Sequence, residues 1–216
     1  MIELRPDRRT RKRLATRQAI SDVATRLFME RGFDRVTIDE IADAADVGRM
    51  TVFNHFPRKE DMFFDREQEA RDVAFEAIRS RASGTSPIQA LRELAHHMVE
   101  QVQPAFPLFE GTRTFVETAQ ASEALKARAR QMRDDFVRAL APVLADAVGR
   151  PIDDPDSHLV AALIAATWST AFVQAHVQLG DTGDTEAAKN TFLALIDRGI
   201  MGARAALSGT PYAENS

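Results

Sequence analysis

The 216-residue sequence predicts an all-α protein. Apolar residues recur at helical spacing in segment after segment, and glycine, proline, serine and aspartate separate those segments. No alternating strand pattern and no internal repeat interrupts them. We therefore expect about nine helices, with three in a small N-terminal domain and the rest in a larger bundle.

The first helix is predicted over Thr10–Arg31. Ile20, Ala24 and Phe28 follow the i, i+4, i+8 spacing of a buried stripe. Gly32 ends the helix because glycine adopts the left-handed backbone at low cost. The helix is predicted to brace the segment that follows.

Two short helices joined by a tight turn are predicted next, over Thr37–Lys59. Thr37 and Glu40 form a capping box that starts the first of them. Asp46 lies where the chain must turn sharply, and we expect it in the left-handed region. Gly48 opens the second helix, which ends near Phe56.

Apolar residues in this hairpin fall at the buried positions of a helix-turn-helix. Counted from Ile38, positions 4, 5, 10 and 15 are occupied by Ile41, Ala42, Val47 and Val52. In that motif the second helix enters the major groove of DNA. The spacing therefore predicts a DNA-binding hairpin.

Pro57 ends the hairpin, and we predict one long helix over Arg58–Ala82. The domain boundaries follow from this: residues 1–57 form a DNA-binding domain with a basic arm, residues 58–208 a ligand-binding and dimerisation domain, and residues 209–216 a flexible tail. Five further helices are predicted, over Pro87–Gln101, Leu108–Ala119, Ser122–Val148, residues 155–180 and residues 185–207. Pro142 is expected to kink the third of these.

Charge is distributed unevenly along the chain. The first 60 residues carry 13 Lys and Arg against 10 Asp and Glu, whereas the remainder carries 15 against 22. A basic arm before a helix-turn-helix suits phosphate neutralisation, and the acidic remainder would be repelled by DNA. The absence of cysteine, of a secretion signal and of an apolar run of about 18–20 residues predicts a cytoplasmic protein without a membrane span.

The hairpin resembles the TetR family of transcriptional regulators. The residues that carry the resemblance are Thr37-Ile38, Ile41-Ala42, Ala45, Val47, Thr51, Phe53, His55-Phe56 and Lys59-Glu60. The resemblance covers about residues 10–63 and implies a homodimer that represses transcription until a small molecule binds its C-terminal domain. Two residues depart from the pattern: Asp46 stands where the family usually has Gly, and Phe53 where it often has Tyr.

Arg49 and Met50, at the start of the second hairpin helix, are the predicted readers of base edges. An arginine there can bind a guanine through two hydrogen bonds. Thr51, His55 and Lys59 are predicted to contact phosphate, and Asn54 either an adenine or a phosphate. The predicted DNA-binding set is Arg11, Arg13, Thr37, Gly48, Arg49, Met50, Thr51, Phe53, Asn54, His55 and Lys59, on a palindromic operator.

The C-terminal domain is predicted to hold a hydrophobic or aromatic effector between its helices, where pockets of helical domains lie. The candidate lining residues are His97, Met98, Phe106, Phe109, Phe115, Trp168, Phe172 and Gln174. The alternative for each single residue is that it is an ordinary core residue.

The last two helices are apolar enough to predict a dimer interface built as a four-helix bundle. The candidate residues are Ala161, Ile164, Ala165, Thr167, Phe192, Leu195, Ile196 and Ile200. The same stripes could alternatively pack only within one chain.

Other functional classes receive less support. The sequence has no H-E-x-x-H, phosphate-binding glycine loop or G-x-S-x-G motif, so we predict no catalytic residues, no metal and no cofactor. A non-specific architectural DNA-binding protein should be more basic beyond residue 60. A transcriptional activator, a ligand-independent DNA-binding protein and, least of all, a helical-bundle enzyme remain as alternatives.

Overall fold

The computed structural model describes residues 7–101 and 110–214, with the side chains of the second range from residue 113 onward. Every regular element in these ranges is helical, which confirms the all-α prediction. The helices are α1 (Arg8–Arg31), α2 (Ile38–Ala44), α3 (Arg49–His55), α4 (Glu60–Phe63), α5 (Glu67–Arg79), α6 (Pro87–Glu100), α7 (Glu110–Ala121), α8 (Glu123–Ala147), α9 (Pro155–Thr182) and α10 (Thr185–Ala206), with a 3-10 turn at Phe33–Arg35.

Two compact units make up the chain. The first, called the head here, comprises Met1–Asp65 together with Glu117–Arg128. The second, called the body, comprises Arg66–Val116 and Ala129–Ser216. The boundary predicted after residue 57 therefore falls before α4, which groups with the head. The sequence also gave no sign that a later segment returns to the head.

An aromatic cluster forms the centre of the head. Phe28 of α1 is fully buried, and its ring centroid lies 4.9 Å from that of Phe33 and 6.2 Å from that of Phe63. Gly32 turns the chain between the first two rings with φ +82°, the positive φ predicted for it. Around this cluster pack the buried residues Ile20, Ala24, Val36, Ile41, Val52, Phe56 and Met62.

The long helix predicted over Arg58–Ala82 is wrong: the structure divides it into α4 and α5. Phe64 leaves the helical conformation, with φ −102° and ψ 40°. Contacts with α1 hold the break: the Ser21 hydroxyl donates to Asp65 at 2.5 Å, and the ring centroid of Phe63 lies 6.2 Å from that of Phe28. Helical periodicity alone does not reveal such contacts.

The core of the body is built on α9 and α10, which pack closely against each other. Gly199 makes this approach possible, because a Cβ at that position would lie 2.3 Å from side-chain atoms of Thr167. Ile164, Phe192 and Ile196 are buried beside this crossing. α8 runs unbroken along the bundle and includes Pro142 within its length.

The C-terminal residues up to Glu214 do not form the frayed tail that was predicted. Tyr212 is fully buried, and its hydroxyl donates to an Asp154 carboxylate oxygen at 2.7 Å. Burial and this hydrogen bond raise the pKa of Tyr212 above its ordinary value. The contact fixes the end of the chain to the start of α9. The prediction failed because a polar, glycine-containing segment can still be held by one large side chain.

α9 is long and apolar enough to span a membrane when judged by length and composition alone. Its most apolar 18-residue window has a mean hydropathy of 1.4, with 39% of the window buried in the chain. The sequence prediction that no apolar run approaches the length of a membrane span was therefore wrong. The Thr and Ser residues within this segment are uncharged, so they do not lower its hydropathy enough to exclude it. One side of α9 is core; the opposite side exposes Leu159, Val173 and Val177.

Candidate DNA-reading surface and ligand cavity

The capping box predicted at the start of α2 is confirmed. The Thr37 hydroxyl accepts from the Glu40 N–H at 3.2 Å, and the Glu40 carboxylate accepts from the Thr37 N–H at 2.8 Å. Arg31 adds an ion pair to the same carboxylate at 2.7 Å. The Thr37 N–H, the Arg31 guanidinium and the Thr37 hydroxyl together lower the pKa of Glu40 to about 2. The carboxylate is therefore ionised near neutral pH, and the capping box stabilises the first turn of α2.

The turn between α2 and α3 also has the predicted conformation. Asp46 is the one described non-glycine residue with positive φ, at +51°. The Val47 N–H donates to the Ala42 carbonyl at 3.0 Å, and Ile41 and Val52 are fully buried beneath the turn. The two helices are therefore held at a fixed angle by one strained residue and a small apolar contact.

α3 exposes a compact set of side chains on its outer face. Met50 is 69% exposed, and Arg49, Phe53 and Asn54 are also exposed. Thr51 and His55 are half-buried at the edge of this face, while Gly48 and Thr37 are exposed beside it. The predicted base-reading residues therefore lie together on one accessible surface.

Arg49 is held by a residue that the sequence prediction omitted. Its Nη1 donates to both carboxylate oxygens of Asp39, at 3.0 and 2.9 Å. The guanidinium carbon also lies 5.6 Å from the centroid of the Phe53 ring. Asp39 belongs to α2 and Arg49 to α3, so this pair connects both helices of the hairpin on its exposed surface.

The end of α3 is fixed by Arg17 of α1. Its Nη1 donates to the His55 carbonyl at 2.5 Å, and its guanidinium lies 3.9 Å above the centroid of the Phe56 ring. Burial, followed by the positive charges of Arg13 and Arg17, lowers the pKa of His55. His55 is accordingly neutral near pH 7 and can offer one N–H as a donor. Arg11 and Arg13 are exposed near the start of α1.

Lys59 does not point outward. Its ammonium donates to the Phe33 carbonyl at 2.5 Å and lies 4.2 Å from the centroid of the Phe33 ring. Burial lowers the pKa of Lys59, despite the opposing effect of nearby carboxylates. These contacts commit the ammonium to the core of the head, which opposes the phosphate contact predicted for it.

A segment from the α7–α8 corner completes the head. Ser122 is buried and its hydroxyl donates to Asp34 at 2.8 Å. Arg128 donates from Nε to Asp61 at 3.1 Å, with only 14% and 22% of the two side chains exposed. No local sequence pattern indicates these long-range pairs, which become visible only in the folded chain.

The body contains a cavity of about 260 Å³. Met98, Trp168 and Phe172, three of the predicted lining residues, line it together with Leu91, Leu94, Met132, Phe136 and Ile164. His97 instead borders an open surface depression, Gln174 is exposed, and Phe115 is half-buried away from the cavity lining. Phe106 and Phe109 lie outside the described residues.

Among the described residues that line the cavity, the charged ones are Glu67, Arg71 and Arg133. Glu67 and Arg71 form an ion pair at 3.5 Å, and each is about one quarter exposed. Arg133 is 48% exposed and approaches Asp134 at 3.7 Å. An apolar cavity therefore carries two guanidinium groups and one carboxylate. In the described residues, no group of three His, Cys, Asp or Glu side chains could hold a metal ion.

Most of the predicted dimer-interface residues face the chain's own core. Ala161, Ile164, Ala165, Phe192, Ile196 and Ile200 are buried within the body, so they are not available to a partner. Thr167 packs against Gly199, and Leu195 is half-buried on the core. The exposed face of α9 carries a different stripe of small and apolar residues: Leu159, Ala162, Ala166, Val173 and Val177.

Comparison with known proteins matches residues 20–65 to the family model described as bacterial regulatory proteins, tetR family. The HTH-type transcriptional regulator TcmR of Streptomyces glaucescens is 31% identical over 86 residues, which cover 40% of this chain and 38% of that protein. AcrR of Shigella flexneri is 36% identical over 89 residues, covering 39% and 40%. The matched region thus spans less than half of either relative.

Solved structures resemble the chain over most of its length. The SmeT–triclosan complex aligns with a TM-score of 0.56 at 19% identity and covers 87% of this chain and 91% of that one. Thermus thermophilus FadR in complex with lauroyl-CoA aligns with a TM-score of 0.52 at 23% identity, covering 85% and 94%. At such identities the likeness concerns the fold. The similarity to the tetR family model is carried by residues 20–65 of the head, and the solved structures add a similarity of fold over most of the chain.

Proposed function

We propose that the chain is a sequence-specific DNA-binding repressor of transcription, working as a homodimer in the cytoplasm and released from its operator by a small molecule. The observation that carries this proposal is the exposed face of α3, where Arg49, Met50 and Phe53 stand on a rigid, capped hairpin. No catalytic step is assigned to any residue.

DNA recognition would divide between base edges and phosphates. The N-terminal residues of α3, Arg49 and Met50, are placed to enter the major groove, as in other helix-turn-helix proteins. Phe53 can contact a thymine methyl group. Thr37, Thr51 and His55 border this face and would contact phosphates, with added attraction from Arg11 and Arg13.

A gel-shift assay on DNA from upstream of the chain's own coding sequence tests this function. Arg49→Ala should weaken binding about 5- to 150-fold, the value of one bidentate arginine–guanine contact. Arg26→Ala, which removes an exposed charge elsewhere on α1, should change affinity by much less. Equal effects of the two substitutions would contradict the proposed role of α3.

The exposed stripe on α9 is the surface we propose for the dimer. Leu159, Ala162, Ala166, Val173 and Val177 recur every three to seven residues along one side of the helix. Met201 of α10 is exposed as well and adds a flexible apolar contact. Such a stripe, repeated by a two-fold axis, would make a self-complementary bundle. Val173→Glu should give monomers in sedimentation, whereas Gln174→Glu beside it should not.

The cavity in the body is the proposed effector site. Its 260 Å³ lies close to the lower end of the ~300–1,000 Å³ typical of small-molecule pockets, and its lining is mostly apolar. SmeT and FadR, two structural relatives, have been solved with triclosan and with lauroyl-CoA. Two guanidinium groups against one carboxylate favour an effector with an apolar body and an acidic group.

Two ligands with the same alkyl chain and different head groups test whether the effector carries an acidic group. Dodecanoic acid should raise the melting temperature more than dodecan-1-ol, because only the acid can pair with Arg71 or Arg133. Arg71→Gln and Arg133→Gln together should remove that difference, while Arg130→Gln, exposed on the same helix as Arg133 but outside the cavity, should keep it. An equal response to acid and alcohol in the wild-type protein would overturn the acidic-group proposal.

α8 is the element that we propose carries the ligand signal. Met132, Arg133 and Phe136 of this helix line the cavity, and Arg128, one turn earlier, is anchored in the head. α5 also lines the cavity, but the break at Phe64 separates it from α4. An unbroken helix transmits a displacement better than two helices joined by a turn. In this proposal α8, and not the single long helix predicted over Arg58–Ala82, connects the cavity to the head.

A further inference from the structure

The Asp39–Arg49 pair calls for an explanation beyond stability. Both side chains are well exposed, with 62% of Asp39 and 58% of Arg49 accessible. Ion pairs of this kind contribute only about 0.2–1 kcal/mol to folding. A carboxylate on a surface that faces DNA phosphates would, moreover, weaken binding by repulsion. The position of Asp39 is thus unfavourable for affinity and of little use for stability.

The geometry of the pair shows what it does to Arg49. One nitrogen, Nη1, donates to both oxygens of Asp39, at 3.0 and 2.9 Å. One face of the guanidinium lies over the Phe53 ring, with 5.6 Å between the guanidinium carbon and the ring centroid. The Nη2 and Nε donors remain on the other edge of the planar group. Two parallel N–H groups on one edge are what the O6 and N7 acceptors of guanine require.

We propose that Asp39 is the positioning residue that makes Arg49 specific for guanine. This inference rests on the proposed function, because it assumes that α3 enters the major groove. Asp39 fixes one edge of the guanidinium and so presents the other edge to a base. An arginine that is already ordered loses less conformational freedom on binding than a free one.

The same carboxylate discourages the wrong contact. If Arg49 turned away to a phosphate, as a flexible arginine does on non-specific DNA, Asp39 would be left unpaired next to the negative backbone. A sequence without the guanine therefore suffers both the loss of the pair and the repulsion. Specificity arises from this penalty as much as from the contact itself.

Two other roles for Asp39 lead to different results. As the second residue of α2, its charge also favours the helix N-terminus, a structural role that would affect all DNA sequences equally. It could also accept directly from the amino group of a cytosine. In that case its effect would persist when Arg49 is absent. The positioning role alone requires the effects of the two residues to depend on each other.

The test begins with selection of binding sites from a pool of random duplexes by the full-length protein. Affinities are then measured on single-base variants of the selected site. The wild-type protein should prefer guanine at one position of each half-site by about 5- to 150-fold. Asp39→Asn should lower that preference to a few-fold while raising affinity for random DNA. Asp43→Asn removes the same charge one turn along α2, where the side chain is also exposed, and should raise affinity for random DNA without changing the preference.

The double variant, Asp39→Asn with Arg49→Ala, distinguishes the positioning role of Asp39 from its two other possible roles. In an Arg49→Ala background, Asp39→Asn should affect guanine preference no more than Asp43→Asn does. Additive effects, or an Asp39→Asn protein that keeps the wild-type preference, would overturn the positioning role. If the wild-type protein selects no consensus at all, the proposed function fails instead, so the two failures are distinguishable.

Discussion

The head and the body hold their helices together by different means. In the head, half-buried charged side chains reach defined acceptors: Arg17 the His55 carbonyl, Lys59 the Phe33 carbonyl and Arg128 the Asp61 carboxylate. In the body, aliphatic side chains and a glycine–threonine crossing at Gly199 bring α9 and α10 together.

This difference suits two kinds of recognition. Directional hydrogen bonds fix the angle of α3 and the place of each exposed side chain, which reading a base sequence requires. Apolar packing around a cavity lined by Met98 and Met132 constrains shape more loosely, and flexible methionines can adjust to a ligand. We therefore expect the head to be intolerant of small displacements and the body to accept related ligands.

Phe28→Ala is expected to have the largest effect among the substitutions that test whether the head and the body are stabilised independently. Removing this fully buried ring should destabilise the head by about 3–5 kcal/mol. Trp168, the single tryptophan of the chain, lies in the body and reports on that unit alone. Urea unfolding followed by Trp168 fluorescence should keep its wild-type midpoint, while DNA binding and part of the helical circular dichroism are lost. Equal shifts in both signals would show that the two units do not unfold separately.

The converse substitution, Gly199→Ala, should affect the body. Its Cβ would lie 2.8 Å from the Thr167 Cβ atom, so the helices must separate at a cost of about 1–3 kcal/mol. The Trp168 midpoint should fall accordingly. Gly202→Ala on the same helix meets nothing within 4 Å and should not lower it. Ala favours a helix more than Gly does, so helix propensity alone would raise both midpoints. A fall of the same size in both variants would show that the crossing at Gly199 is not what the substitution disturbs.

Arg128→Gln should separate ligand binding from DNA release. Loss of the Asp61 ion pair should leave affinity for ligand unchanged but reduce the effect of ligand on DNA affinity, a coupling typically of about 1–3 kcal/mol. Gel shifts with and without dodecanoic acid measure it. Arg130→Gln serves as the control on the same helix. If Arg128→Gln preserves the full ligand effect, α8 does not carry the signal through this contact.

A smaller effect is expected from pH through His55. Burial and the charges of Arg13 and Arg17 lower its pKa in the free protein, so stability is fully present above the ordinary value of 6.5 and falls as pH drops below it. A nearby phosphate would raise the pKa in the complex, so DNA affinity should increase on acidification, by less than about tenfold per pKa unit gained. His55→Gln should flatten this dependence between pH 7.5 and 5.5 at constant salt. If the DNA affinity of His55→Gln depends on pH as strongly as that of the wild-type protein, His55 does not contact a phosphate.

What the sequence could predict depended on the range of the interactions involved. The capping box of Thr37 with Glu40 and the positive φ of Asp46 are local, and both were predicted correctly. The break after Phe63 and the inward turn of Lys59 depend on aromatic side chains contributed by α1 and the turn that follows it. Helical spacing does not encode these contacts.

The face of α9 illustrates the same limit in the body. The helix is apolar on nearly every side, so the sequence could not distinguish residues such as Ile164, which packs inward, from Val173, which is exposed. The direction became clear only once α10 was placed. Similarly, Asp39 has no unusual feature in the sequence, and its significance depends on its distance from Arg49 in space.

Footprinting of the full-length protein on its own upstream DNA tests the central claim most directly. Two α3 helices in a dimer should protect two half-sites of one palindrome, centred about 34–36 Å apart or at a multiple of that spacing. Arg49→Ala should remove the protection at the same protein concentration. Uniform coverage of the fragment, or a discrete footprint that persists in Arg49→Ala, would contradict the account.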